Sequence, residues 1–364
     1  MHVLCYGAGA VGSLVGGRLS QSGAAEVTLL ARRRHVAAIR TWGLILEVPD
    51  GRVVCKGADS VTSVDDLASP PDLVLLTVKA YQTADALADL GGLIRRGVPI
   101  LSLQNGVGNE EAIAAAGARP IAGAITVSAS MLRPGVVRQN TRGGGIALAA
   151  VRIDPGVGST AAGGTDAERA DLEAATALFR QAGFRTELFP DYRPVKWSKL
   201  LLNIVGNASA AILDLPPGVV VRDRRVFHLE REAFLEAVRV IRGLGLRPVA
   251  LPGYPVPLLA KVMALPEWAG RPVLSRRIGR GRGEKMPSLW EDLERGRTQS
   301  EVEVLNGAVA REGARLGFPT PANALLARVL LALAGGTRDR AEFRRNPQAL
   351  VAARDAIMLE RVGP

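Results

Sequence analysis

Apolar residues along this chain change their spacing just past its middle. In the first half they come as short, nearly continuous runs at 2–6, 26–30, 72–78 and 99–104, the pattern of parallel strands buried on both faces. Shorter β-prone pieces follow at 121–128, 136–139 and 146–149. Residues 153–165, rich in Gly, Ser, Thr and Ala, read as an exposed loop, and a helix over 166–182 with a strand near 185–189 closes the half. From 191 onward the spacing is helical, with a long amphipathic stretch at 223–244, a shorter one at 256–264, a broken pair at 288–295 and 298–316, and further helices at 322–334 and 347–360. The pattern predicts an α/β chain in two domains, a parallel sheet over 1–190 and an all-helical domain over 191–364, with a cleft between them suited to small ligands.

The first strand runs straight into Gly7-Ala8-Gly9-Ala10-Val11-Gly12, and a helix follows from Ser13. Strand, glycine turn and helix in that order form the context that the Rossmann-type dinucleotide fingerprint requires. Gly7 allows the tight turn, Gly9 lets backbone approach a pyrophosphate, and Gly12 lets helix close on strand. The helix start then offers free N–H groups to phosphate. An NAD site places a carboxylate at the end of the second strand to hold the ribose 2′-hydroxyl. Here that end reads Ala31-Arg32-Arg33-Arg34-His35. Arginine pairs with a 2′-phosphate instead, so the expected cofactor is NADP(H), with Arg32 on the phosphate. Lys79 and Asn105 stand beyond the carboxyl ends of two further strands, where open α/β sheets bind ligands. A helix-start lysine on the surface and an ordinary Asn-Gly turn are the plainer readings of the same residues.

The second half opens on Lys199-Leu-Leu-Leu-Asn203-Ile-Val-Gly-Asn207. Spaced four and four, Lys199, Asn203 and Asn207 fall along one stripe of a helix amid leucine, isoleucine and valine. An ammonium and two carboxamides in that setting need partners. A small polar ligand is one answer; a polar seam between helices, with Lys199 reaching out to water, is the other. Further on, Ser300 or Thr298 reads as a helix cap with Glu301 or Glu303 in the first turn. Gly296 interrupts the helical pattern between Ser288 and Glu301, which lets both face one cleft.

Composition narrows the classes. A chain of 364 residues supports two cores. A net charge of +11 admits a polyanionic partner, yet the arginines are scattered and aromatics reach only 4%, without the interleaving that stacks bases. A solvated basic surface without nucleic acid is expected, and the Arg/Gly-rich 275–285 segment reads as a mobile loop. Two cysteines and three scattered histidines suggest neither a disulfide framework nor a metal site. Asn203, Asn207, Asp214 and Arg328 interrupt the apolar runs before membrane length, and Met1 leads almost at once into a strand. These features point to a cytoplasmic protein off the membrane.

Taken together, Gly7-Ala-Gly-Ala-Val-Gly12, Val78-Lys79-Ala80, Gln104-Asn105-Gly106, Lys199-Leu-Leu-Leu-Asn203 with Asn207, Ser288-Leu-Trp-Glu-Asp292 and Ser300-Glu301-Val-Glu with Asn306-Gly307 resemble the ketopantoate reductase (2-dehydropantoate 2-reductase) family over nearly the whole chain. The resemblance implies an NADPH-dependent reduction of a 2-oxo acid to a 2-hydroxy acid on the way to pantothenate and coenzyme A. By position it implies Lys199 as general acid and Glu301 as second catalytic residue. Asn203, Asn207 and Ser288, with Lys199, correspond to the substrate-holding groups; Lys79, Asn105, Ala129 and Glu301 correspond to cofactor-side positions. The chemistry suits these types: a hydride arriving at a ketone carbon leaves an alkoxide, and a partly desolvated lysine can polarise the carbonyl and supply the proton. Leu215-Pro216-Pro217-Gly218 departs from the Asn-Gly found in many members, and Ser300 stands where threonine is usual. Those departures leave open another 2-oxo acid or an imine as acceptor. A non-catalytic NADP(H)-binding sensor is the alternative from another class, and a homodimer through the helical domain is expected.

Overall fold

The computed structural model describes residues 1–152, 165–273 and 285–360, with side chains through 354. The loops expected at 153–165 and 275–285 lie, but for their last residues, outside the described residues. Contacts gather the chain into two units. The first holds Met1–Gln104, Gly108–Lys196 and Leu251–Tyr254; the second holds Asn105–Val107, Trp197–Ala250 and Pro255–Pro364.

The first unit is built on β1 (His2–Tyr6), β2 (Glu26–Leu30), β3 (Leu44–Val48), β4 (Gly51–Cys55), β5 (Ala58–Val61), β6 (Leu73–Leu76), β7 (Ile100–Ser102), β8 (Pro120–Ile125), β9 (Ala129–Arg133), β10 (Val136–Gln139), β11 (Ile146–Ala150) and β12 (Thr186–Phe189). Eight strands form one sheet in the order β12-β11-β8-β7-β6-β1-β2-β5, parallel except where β11 meets β8. Val3 of β1 pairs with Val27 on one side and Leu73 on the other, and all of β1, β6 and β7 is buried. Continuous apolar runs are therefore what the central strands need, since both faces are covered by helices.

A second sheet, β4-β3-β10-β9, was not anticipated from the apolar pattern. Strand β4 is mostly exposed, so it carries no buried run to betray it. Its signal is the turn Pro49-Asp50-Gly51 between two β-rich pieces, which is a hairpin signature of its own.

The second unit is helical. Its longest helix, Arg224–Gly243, starts where the Asp223 carboxylate accepts from the amides of Arg225 and Val226 at 2.9 and 3.3 Å. Val226, Phe227, Ala233, Phe234, Ala237, Val240 and Ile241 recur at helical spacing and are buried against the helices Asn306–Arg315 and Pro321–Ala334. The Phe234 ring is fully buried, and losing such a ring costs about 3–5 kcal/mol. Where a continuous stretch was expected over 298–316, a 3-10 turn at Glu301–Val304 precedes the helix Asn306–Arg315. Among the described residues no helix is long and apolar enough to cross a membrane, and no group of His, Cys, Asp and Glu could hold a metal ion.

Candidate active site

In the first unit the turn after β1 is shaped by what its glycines lack. Gly7 has φ +90°, and a Cβ there would lie 2.8 Å from the backbone nitrogen of Val78. A Cβ at Gly12 would lie 2.4 Å from Thr77 Oγ1. At Gly9 a Cβ would meet only Gly7 O, at an ordinary contact distance of 3.8 Å, so that position is not crowded by the protein. Two glycines thus let the turn close on the end of β6, and the third leaves room for a ligand. The amides of Gly7 and Ala8 donate to Leu30 O at 3.2 and 2.8 Å, tying the turn to the end of β2. The helix Ala10–Gln21 has no side chain at its cap, so the first-turn amides of Ala10, Val11 and Gly12 keep their donors for an anion. An open cradle with uncapped amides above it fits a dinucleotide pyrophosphate.

A side-chain relay lies under this turn and was missed in the sequence. The Gly135 amide donates to His35 Nδ1 at 2.9 Å, so the ring proton sits on Nε2, which donates to Ser13 Oγ at 3.0 Å. The Ser13 hydroxyl in turn donates to Ala8 O at 3.0 Å. Burial holds the His35 imidazole below its usual value of 6.5. Arg32 is the exposed N-cap of the helix Arg33–Trp42, two residues past β2. Lys79 is half-buried at the start of the turn Ala80–Gln82, and Ala129 opens β9 opposite Gln139.

In the second unit Lys199 and Asn203 sit one turn apart on the helix Tyr192–Ile204. Asn207 does not continue their stripe. The helix ends at Ile204, Gly206 takes φ +62°, and Asn207 is the N-cap of the next helix, Ala208–Leu213. The cause is Glu230, only 2% exposed, whose carboxylate accepts from the Gly206 amide at 2.7 Å and from the Ser209 hydroxyl. A buried carboxylate needs such donors, and it pulls the chain out of helical register to obtain them. The break leaves Asn207 Oδ1 buried with no hydrogen-bond partner among the described residues. Glu230 had a signal: a carboxylate within the apolar stripe of an amphipathic helix.

Asn203 Nδ2 donates to Asn105 Oδ1 at 3.1 Å. The turn that carries Asn105 lies on the Glu301–Val304 turn: the Val107 amide reaches Val304 O at 3.4 Å, and a Cβ on Gly106 would come within 2.7 Å of that oxygen. Glu301 is 3% exposed, and Ser300 Oγ caps its turn by accepting from the Val302 amide at 3.3 Å. Behind it, Asn306 Nδ2 donates to Asn323 Oδ1 at 3.0 Å. Asn323 is gripped by Glu236, which takes the amides of Ala322 and Asn323 at 2.9 and 3.0 Å. Burial pushes the Glu236 carboxyl up, against the pull of those amides. Ser288 stands exposed at the first residue of the helix Ser288–Glu294, which is anchored where Trp290 Nε1 donates to Asp214 at 2.7 Å. The structure therefore joins Asn105, Asn203 and the Glu301 turn, places Lys199 one helical turn from Asn203, and sets Asn207 on a separate segment.

The family description ketopantoate reductase PanE/ApbA matches residues 3–152, and its C-terminal counterpart matches residues 191–334. A 2-dehydropantoate 2-reductase of Pyrococcus horikoshii is 30% identical over 93% of this chain and 100% of its own length. The crystal structure of a PanE/ApbA family ketopantoate reductase from Ralstonia eutropha JMP134 is 30% identical, with a TM-score of 0.73 over 93% of this chain and 100% of that one. D-mandelate dehydrogenase, solved with NADH and anilino(oxo)acetate, superposes with a TM-score of 0.75 over 92% of this chain and 99% of its own, at 23% identity that shows the fold alone. This chain belongs to the ketopantoate reductase family and is an oxidoreductase acting on a CH–OH group.

Proposed function

We propose that the protein reduces a 2-oxo acid to its 2-hydroxy acid with NADPH, and that the acid is 2-dehydropantoate. Residues 1–190 act in this reading as the cofactor domain and 191–364 as the substrate and catalytic domain. The observation that carries the proposal is the second unit's polar group on an apolar scaffold: Lys199 and Asn203 on one helix, Asn105 bonded to Asn203, the Glu301 turn beneath, and a buried Asn207 oxygen left without a donor among the described residues.

Gly7, Ala8, Gly9, Ala10, Val11 and Gly12 cradle the pyrophosphate, Arg32 pairs with the 2′-phosphate, and Lys79, Asn105, Ala129 and Glu301 flank the rest of the dinucleotide. NADPH supplies the hydride that reaches the ketone carbon. The carbonyl electron pair moves to its oxygen, and the Lys199 ammonium gives that oxygen its proton; solvent then reprotonates the amine. Before transfer the same ammonium polarises the carbonyl. Asn203 donates to the substrate, Ser288 contributes a hydroxyl to its carboxylate end, and Asn207 Oδ1 takes the hydrogen of a substrate hydroxyl, which 2-dehydropantoate has and pyruvate lacks. Glu301, on its capped turn, assists Lys199 as the second catalytic residue.

The test is steady-state oxidation of NADPH and of NADH with 2-dehydropantoate, pyruvate and 2-oxoisovalerate. The expected result is turnover with 2-dehydropantoate far above the other two and a preference for NADPH that Arg32→Ala lowers about tenfold, the equivalent of one lost phosphate contact. Preference for another acid would move the substrate, and preference for NADH would remove Arg32 from the cofactor site.

A further inference from the structure

Lys196 and Glu110 form an ion pair inside the first unit that the reaction described above does not use. Their side chains are 2% and 0% exposed, with Lys196 Nζ 2.8 Å from Glu110 Oε1. The pair is held as a close contact of opposite charges away from water. Burial pushes the Glu110 carboxyl up, while Lys196 pulls it down. The same Nζ donates to Gln104 O at 2.8 Å, with Gly123 O at 3.4 Å.

Gln104 is a joint between two turns. Its side-chain Nε2 donates to Val78 O at 3.1 Å and to Thr83 Oγ1 at 2.8 Å, holding the carbonyl that directly precedes Lys79. Its own carbonyl, the one Lys196 takes, directly precedes Asn105. A pair buried this deeply adds little net stability, because removing two charges from water costs about what their attraction returns. Apolar side chains of like volume would fill the same space at no greater cost, but they would leave the Gln104 carbonyl without a donor.

We propose that Lys196 is a positioning residue: its ammonium, kept in place by Glu110, grips the Gln104 carbonyl and thereby sets the Val78-Lys79 and Gln104-Asn105 turns for the dinucleotide. The inference rests on the reading that Lys79 and Asn105 serve the cofactor side. Lys196→Met leaves Glu110 uncompensated and unfolds the protein at lower temperature, so it cannot test position by itself. Lys196→Leu with Glu110→Leu removes both charges; it should melt within a few degrees of the parent yet bind NADPH roughly tenfold more weakly by titration. Glu110→Gln leaves the buried Lys196 ammonium without its counter-charge, so it should melt at lower temperature and lose affinity with it, and it is no control for position. Parent-like affinity in the double Leu variant overturns the proposal. Lys79→Ala and Asn105→Ala run alongside: if both bind NADPH normally, the cofactor-side reading fails and takes this inference with it. If they bind weakly while the double Leu variant binds normally, Lys196 alone is dismissed.

Discussion

The glycine turn of the first unit and the helix break of the second are both local departures from regular structure, but they are made differently. The turn is made by backbone and by missing atoms: φ +90° at Gly7, no room for a Cβ at Gly7 or Gly12, an uncrowded position at Gly9, and amides bonded to Leu30 O. The break at Gly206 and Asn207 is made by one side chain, Glu230, lying 24 residues away in sequence. A backbone-made site tolerates side-chain change around it but no added atom within it. A side-chain-made site fails when one distant carboxylate is altered. The two therefore respond oppositely to mutation, and that contrast can be tested.

The largest expected effect bears on the side-chain site. Lys199→Ala should lower kcat by on the order of 10² or more while NADPH binds as before, because the proton donor is lost and the dinucleotide turn is untouched. Stopped-flow turnover and a cofactor titration on the same preparation separate the two. Full activity would remove Lys199 from the mechanism.

Next come two matched changes, one in each region. Glu230→Gln puts an amide where both Gly206 N–H and the Ser209 hydroxyl seek an acceptor, so about 1–3 kcal/mol of stability is lost and Asn207 loses its setting. Substrate KM should rise about tenfold with NADPH affinity unchanged. Gly9→Ala should do the reverse. Its Cβ meets nothing nearer than 3.8 Å in the free protein, so the melting temperature stays put, but the methyl occupies the approach of the pyrophosphate and NADPH binds about tenfold more weakly. If Glu230→Gln weakened cofactor and Gly9→Ala weakened substrate, the division of labour between the regions would be wrong.

What was legible in the sequence follows the same line. The strand–turn–helix order around Gly7–Gly12 is local, so it could be read directly, as could the buried central strands and the long amphipathic helix Arg224–Gly243. The stripe through Lys199, Asn203 and Asn207 was expected on spacing alone, and spacing cannot see a carboxylate arriving from another helix. The Asn203–Asn105 bond joins residues 98 apart, and the Asn306–Asn323–Glu236 chain spans three segments. Contacts of that kind leave no periodic trace. The hairpin of β3 and β4 escaped for a different reason: an exposed edge strand does not need an apolar run.

The smallest expected effect tests whether the backbone-made turn is as free of side chains as its glycines suggest. His35 is buried, with Nδ1 accepting from Gly135 and Nε2 donating toward Ser13, and its folded pKa lies below the usual 6.5. A second ring proton would put a donor against the Gly135 amide. Between the folded and unfolded values the unfolded chain binds a proton that the folded chain refuses, so this contribution to stability is complete above about pH 6.5 and is lost as pH falls through the window below it. The melting temperature should therefore drop on acidification from pH 7 toward 5, and NADPH affinity should weaken with it as the ring, pushed off the Gly135 amide, shifts the Ser13 hydroxyl it bonds. His35→Gln can donate through its amide to Ser13 but does not titrate, so its melting profile should be flatter over the same range. A profile as steep as the parent's would mean that other groups carry the acid response and that the turn stands on its backbone alone.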